Sequence, residues 1–560
     1  MKNILKIICV AACFSSYNGQ AQQFNGFTLV ATQNSNSAYL MDTNQTTIKT
    51  WSGLSASTGY SAYLEPGGIL TRSAKGTAPA GSPGGPICGK IQKHDYNGNL
   101  IWDYTLSGSD FVSHHDIQPM PNGNVLAIVY EKKSASDVSA AGGSQSIIMW
   151  PDKIVEIQPT GLTTGTVVWE WKVWDHLVQN VSPNKANYQT SILDHPELLN
   201  INYKQTSDWL HANGVDYNPI LDQVIFSSHN MNEWYIIDHS TTTAEAAGHT
   251  GGNSGKGGDF LYRWGNPAAY GASGTTILKV THDAHWIPEG VPNAGRIAGI
   301  NNGGQTSPQR TTVDFVTTPT NNYVYDYVAG QAFQPSTYTD RIVCNGYTSN
   351  MGNSQQLPNG NHLICLSTSG KIYEINSAGT QLWTKTVGGT AKAFKYDSCY
   401  IFNTPPAIPT VTINGNTLTS TSATTYQWYL NGVLINGATS MTYNPTQSGI
   451  YVVRITDANG CIYRYSKGVK YTANPNHISE KNLNNEIILY PNPTQDYITI
   501  NDNDVLGNEF TIFVADNFGN IVASASNTKK INVEHLSNGV YILQIKSKNG
   551  IVDKRFSIIK

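Results

Sequence analysis

The sequence predicts an all-β protein, a β-propeller followed by two small β-sandwiches, and three observations predict it. Charged residues make up only 13% of the 560 positions, about half the usual globular share, with Gly, Tyr, Asn, Ser and Thr in their place. Turns of the form P-N-G-N feed apolar strands at 119–131 (PMPNGNVLAIVYE) and 356–368 (QLPNGNHLICLST), with looser copies at 64–73 and 217–229. A Trp-bearing strand recurs in NGNLIWDYTL, TGTVVWEWKVW, GDFLYRWGN and AGTQLWTKTV. Asn-Gly tolerates the positive φ of a tight hairpin, and hairpins repeating every few tens of residues suit propeller blades. The imperfect copies number five or six, and six blades over residues 22–402 is the preferred count. Trp102, Trp169, Trp264 and Trp383 stand where neighbouring blades would pack. Helical periodicity is absent from this region.

Ahead of the propeller, residues 1–21 read as a secretory signal. Lys2 and Lys6 precede an apolar run from Ile7 to Phe14, and Gly19-Gln20-Ala21 suits cleavage. No later segment has the 18 uninterrupted apolar residues of a transmembrane helix. The formal net charge of −3 gives no electrostatic case for nucleic acid or an anionic membrane surface. Cys88, Cys344, Cys365, Cys399 and Cys461 follow the signal; five thiols allow at most two bridges, and their spacing assigns none.

Beyond a Pro-rich linker (NTPPAIPT), residues 408–472 alternate apolar and polar positions. They resemble an immunoglobulin-like sandwich with Trp428 as its core tryptophan and Tyr451 on a late strand. A second linker (TANPNHISEKNLNN) leads to residues 487–560. There YPNP, LSNGVYILQI and the basic ending KRFSIIK resemble the type IX secretion C-terminal sorting domain of Bacteroidetes. That resemblance implies export through the outer membrane by the type IX machinery, to the cell surface or the exterior.

The chemistry lies in the histidines. Twelve of fourteen fall between His94 and His362, several inside the phrases SHHDIQPMPNGN, DWLHANGVDYN, IFSSHNMNEWYIIDHS and THDAHWIPEG. Imidazole accepts, donates or covalently carries a group near neutral pH, so four such segments read as one site gathered from several strands. No HxH or HExxH pair occurs, so no metal centre is expected, and no cofactor. GHTGGNSGKGGDF lacks the order of a phosphate-binding loop and reads as a mobile loop near the propeller mouth. His94, His176, His195 and His249 are assigned to loops and His239 to a structural turn. Trp209, Trp234 and Trp286 are as suited to walling an aromatic pocket as to packing.

HHDI with PNGN, DWLHANGVDYNPILDQVIFSSHN, WYIIDHS, LYRWGNP and HDAHW together resemble the bacterial arylsulfotransferases that use no nucleotide donor. The resemblance implies a six-bladed propeller moving a sulfuryl group from a phenolic sulfate to a phenol, ping-pong, through a sulfated histidine. It implies His282 as nucleophile, with His211 and His115 holding sulfuryl oxygens or handling protons. It implies a site place for His229, which stands where relatives can carry an arginine. Asn213, His114 and His285 are further candidates for substrate binding. Such a reaction needs several fixed donors around three charged oxygens. His229 could stand in for an arginine only below about pH 6.5 unless a carboxylate raises its pKa. A lower pH optimum or weaker activity is therefore expected. Asp116, Asp208, Glu233, Asp238 and Asp283 are placed to orient the rings, and strand alternation puts His282 and His285 on opposite faces. The rival readings are a non-catalytic propeller that binds glycan or protein, and an aryl sulfate hydrolase.

Overall fold

Residues 27–396 of the computed structural model form six consecutive four-stranded antiparallel sheets. The structure describes residues 22–473, 486–502, 505–547 and 550–560; the expected signal peptide and most of the second linker lie outside them. Sheet two consists of Thr58–Glu65, Ile69–Lys75, Gly89–His94 and Leu100–Thr105. Sheet three consists of Phe111–Pro119, Val125–Glu131, Asp152–Pro159 and Gly165–Lys172. Sheet four contains Ala212–Asn218, Gln223–Ser228, Glu233–Asp238 and Tyr262–Trp264. Sheet five contains Thr281–Trp286, Ile297–Thr306, Gln309–Val316 and Asp340–Val343. Sheet six contains Asn353–Gln356, His362–Leu366, Lys371–Ile375 and Gln381–Thr386. Sheet one takes Phe27–Val30, Ala38–Met41 and Thr47–Trp51 from the start of this region and Ala393–Tyr396 from its end.

The repeated turns explain the repeated sheets. Both P-N-G-N segments join the first two strands of a sheet, with Gly123 at φ 88° and Gly360 at φ 86°. The Asn after each glycine donates to a carboxylate on the third strand, Asn124 to Glu156 (2.5 Å) and Asn361 to Glu374 (2.6 Å). The motif therefore locks three strands of its own sheet.

The first strands of sheets two to six and the strand Ala393–Tyr396 touch one another in cyclic order, so they are called inner strands. The outermost strands are joined by tryptophans. Trp51, Trp102, Trp169, Trp264 and Trp383 each donate the indole N–H to the turn between the third and fourth strands of the next sheet. The acceptors are Asp95 O, Thr164 O, Thr241 Oγ1, Pro335 O and Thr43 O, at 2.8–3.1 Å. Trp383 thus links the sixth sheet back to the first. Sheet five has no such tryptophan; Arg341 on its outermost strand instead clasps Asp314 of the neighbouring strand. The packing role read from Trp102, Trp169, Trp264 and Trp383 extends to Trp51.

The chain clusters into two compact units. The first runs to Val411 and includes Ser420–Met441 and Tyr451–Gly468. Its later part carries the sheet strands Thr425–Leu430, Val433–Leu434, Gly449–Thr456 and Tyr463–Tyr465 around buried Trp428 and Tyr451. The Cys399–Cys461 disulfide lies in this unit, while Cys88, Cys344 and Cys365 are free and buried. In the second unit, a sheet of Ile488–Tyr490, Tyr497–Asn501 and Lys530–Asn532 accompanies one of Ile521–Ser526, Phe510–Ala515, Gly539–Ser547 and Gly550–Ile558. Ile498, Ile512, Val514, Leu543, Ile545 and Phe556 form its core. No helix among the described residues is long and apolar enough to cross a membrane.

Replacing Trp383 by Phe keeps a ring at the joint between sheets six and one but leaves Thr43 O only the 3.5 Å bond from Gln23 Nε2. A loss of about 1–3 kcal/mol is expected, read as a lower denaturation midpoint with an unchanged far-UV spectrum. An unmoved midpoint would show that the indole N–H does not link the sheets.

Candidate active site

Four inner strands break register at comparable places: between Thr58 and Ala62, Ser113 and Ile117, Ala212 and Gly214, and His282 and His285. A bulge bends its strand and re-aims side chains. At or beside these bulges His115 (φ 50°), His211 (φ 55°) and Asp283 (φ 59°) are left-handed, each at a cost of order 1–3 kcal/mol that clusters at functional sites.

The bulges bring four imidazoles into one chain. Ring centroids lie 4.6 Å apart for His115 and His211, 4.9 Å for His211 and His229, and 5.7 Å for His229 and His282. His115 and His282 are buried, while His211 and His229 are half-buried. Gly85, in the loop between the second and third strands of sheet two, lies against the pair. A Cβ there would fall 3.3 Å from His211 Cε1 and 3.4 Å from His115 Cε1, and the neighbouring Pro86 O accepts the His115 backbone N–H.

Hydrogen bonds fix the tautomer of His282. The Met351 backbone N–H donates to Nε2 at 3.2 Å, so Nε2 carries the lone pair and Nδ1–H donates to Asn302 Oδ1 at 2.8 Å. Asn302 is turned the right way round because its Nδ2 donates to Thr348 O and Met351 O. Burial, with His229 adding to it, pushes His282 down to about 3. The ring is therefore a neutral base at physiological pH, with its lone pair on Nε2.

His211 is held differently. Its Nδ1 lies 2.6 Å from Asp208 Oδ2, and Tyr130 OH donates to the other Asp208 oxygen at 3.0 Å. Burial works against the Asp208 charge, but His211 and Tyr130 hold its carboxyl below the ordinary value. Behind His115, His114 stacks on Tyr130 with centroids 3.4 Å apart. Its Nδ1 meets His115 Nδ1 at 2.8 Å and its Nε2 lies 2.8 Å from Asp152. Burial carries His114 and His115 well below the histidine range. His229 is lowered too, by burial, and its Nδ1 partner is the Asn230 amide, not a carboxylate. The expectation that His229 gains a charge below about pH 6.5 therefore meets an environment that opposes it.

Lys392, immediately before the inner strand of sheet one, bonds Asp116 (2.6 Å) and Asp283 (2.7 Å). Burial opposes its charge, but the two carboxylates outweigh it and raise its pKa. With Lys392 and Asp283, His285 borders a cavity of about 760 Å³ at the far ends of the inner strands, and none of the four clustered histidines lines it. His285 contacts Asp283 (Nδ1 to Oδ2, 3.2 Å). The bulge thus parts His282 from His285.

The other sequence candidates fall outside the cluster. Asn213 ties two inner strands together, donating to Thr281 O and accepting from Ser227 Oγ. Of the five carboxylates expected to orient rings, only Asp208 reaches a clustered histidine. Asp116 takes Tyr63 OH and Lys392, Glu233 pairs with Arg263, and Asp238 binds Ser240 and Ser254. Trp209 and Trp234 are core residues whose indoles bond Tyr203 O and Thr281 Oγ1, and Trp286 borders the distant cavity. His94 is buried at the end of a strand, not on a loop, because its pairing with Leu70 and Leu100 extends that strand. His239 is clasped by Asp222 and Glu156; burial opposes its charge, but the two acids raise it to about 9. Residues 248–260 are held by Gly258 N–H to Gly248 O and Ser254 N–H to Asp238, away from the cluster.

Residues 18–398 match the arylsulfotransferase (ASST) family model. The chain belongs to the arylsulfotransferase family. Residues 488–560 match the secretion system C-terminal sorting domain, which directs secretion through the outer membrane to the cell surface or exterior. No curated protein matches the chain. Solved structures with a similar chain trace include a protein of unknown function from Bacteroides caccae, 10% identical, with a TM-score of 0.38 over 66% of this chain and 98% of that one. They also include the periplasmic gluconolactonase of Pseudomonas aeruginosa, 11% identical, with a TM-score of 0.32 over 66% and 99%. A protein from Lactobacillus plantarum is 9% identical, with a TM-score of 0.33 over 67% and 100%.

Replacing Asn302 by Asp would set a carboxylate against His282 Nδ1–H. The His282 pKa, about 3 in the native chain, should rise by at least about one unit. Titration of ¹⁵N-histidine spectra reads it directly; an unmoved pKa would mean that Asn302 does not control this ring.

Proposed function

We propose that this chain transfers a sulfuryl group from a phenolic sulfate ester to a phenol through a sulfated His282, on a six-bladed propeller spanning residues 22–402. Six sheets, the cyclic contact of their inner strands and the Trp383–Thr43 link support the blade count. In this reading residues 408–472 are an immunoglobulin-like spacer and 487–560 the sorting domain.

The observation that carries the reaction is the tautomer of His282. An Nε2 lone pair on a ring that stays neutral down to about pH 3 is a nucleophile ready without prior proton loss. In the first half-reaction Nε2 exchanges its long contact with the Met351 N–H for the sulfur. The N–S bond forms, the S–O bond to the aryl group breaks, and the departing phenolate takes a proton from His211 Nε2. His211, steadied by Asp208, returns to that role by taking the proton of the incoming phenol, whose oxygen attacks sulfur as the N–S bond breaks. Because Asn302 is neutral, the sulfated ring keeps its positive charge and remains a good leaving group. His115 donates an N–H to the sulfuryl oxygens, in the manner of an oxyanion hole, while His229, whose Nδ1–H goes to Asn230 Oδ1, borders them with its Nε2.

The test uses p-nitrophenyl sulfate with no nucleotide donor. Release of p-nitrophenol is expected to depend on added phenol, and His282→Ala is expected to abolish it. Asp208→Asn should lower kcat by about 10²–10⁴-fold, the usual worth of a positioned acid–base. Release without phenol would make the protein a hydrolase, and no release would leave a binding module.

A further inference from the structure

We propose that His176, His249 and Asp259 form a zinc site at the rim, apart from the histidine cluster. Among the described residues two groups place three candidate ligand atoms within 4.8 Å of one another. One of them contains Cys399 and Cys461, whose sulfurs are already joined. The other is this one.

The protonation geometry is the argument. His176 Nε2 lies 2.8 Å from the carbonyl oxygen of Ala246. A carbonyl only accepts, so Nε2 carries the hydrogen and the neutral ring turns the Nδ1 lone pair outward. That nitrogen faces Asp259 Oδ1 at 2.8 Å, and His249 Nδ1 faces the same oxygen at 2.7 Å. His249 can donate an Nδ1–H to that oxygen, but His176, with its hydrogen on Nε2, meets it lone pair to lone pair; a single divalent ion accepts from all three. The Ala246 carbonyl plays the part usual behind a metal-bound histidine, fixing tautomer and ring orientation. Two His and one Asp, with a fourth position for water, suit zinc.

The surroundings are built for it. His176 is fully buried and stacks on Trp171, whose indole donates to Gly258 O. A Cβ on Gly258 would collide with Ala246 O and lie 2.6 Å from His176 Nε2, so the segment can approach only as glycine. The His249 side chain is 60% exposed and gives an ion access. His176 follows the outermost strand of sheet three and Asp259 precedes that of sheet four, so the ion would staple the rims of two sheets and anchor the Gly-rich segment.

The experiment is titration of the EDTA-dialysed protein with zinc chloride, followed by calorimetry and thermal melting. One equivalent is expected to bind and raise the melting temperature. His249→Ala, an exposed change that should leave the far-UV spectrum intact, is expected to weaken binding at least about tenfold. His195→Ala, at a half-exposed His–Glu pair elsewhere, should leave it unchanged. Absence of saturable binding by the native protein, equal affinity in His249→Ala, or equal loss in His195→Ala would each overturn the proposal.

Discussion

A single buried ammonium group organises the propeller-like region. Lys392 sits between Asp116 and Asp283, and the two carboxylates gather every sheet. Asp116, from sheet three, accepts from Tyr63 OH of sheet two and from the Val215 backbone N–H of sheet four. Asp283, from sheet five, accepts from the Ser354 N–H of sheet six. Lys392 leads directly into the strand that completes sheet one. Buried ions are expensive to desolvate, and removing one partner leaves the others stranded at a cost of about 3–5 kcal/mol. The knot is thus intolerant of partial loss, and it fixes six inner strands relative to one point.

The histidine layer inherits its geometry from that knot. Asp116 follows His115 and Asp283 follows His282, so pinning each carboxylate fixes the backbone that carries a clustered ring. The left-handed conformations of His115 and Asp283 persist because neighbouring strands hold them. Strain of this kind is stable only when the surroundings over-determine it. Burial depresses His115 and His282 together. The cluster thus combines the neutral base of His282 with a His211 ring held by the Asp208 carboxylate.

Much of this was legible in the sequence, for particular reasons. P-N-G-N turns and recurrent tryptophans announce sheets because hairpin geometry and inter-sheet indole bonds impose residue types at fixed spacing. His115, His211, His229 and His282 stood out because polar-aromatic phrases rarely surround surface histidines. What stayed hidden depended on register. Lys392 sits in an unremarkable GTAKAF stretch and gains meaning only when the last strand returns beside Asp116. Asn302 lies in NNGG, outside every phrase that drew attention in the sequence. The carboxylates Asp116 and Asp283 adjoin histidines in sequence, yet a bulge sends them to the other side of the layer. Only Asp208, three residues from His211, meets its clustered ring through a local contact. Simple alternation foresaw that His282 and His285 would part, but not that a bulge would do it.

Sheet one has its own implication. Its first three strands are made at the very start of the region, yet the strand that completes it, Ala393–Tyr396, begins more than 340 residues after Trp51. Sheet one cannot be completed, and Lys392 cannot meet Asp116 and Asp283, until nearly the whole region has been synthesised. Contacts of such long sequence separation slow folding. The closing strand therefore makes completion of sheet one the event that waits for the two ends of the region to meet.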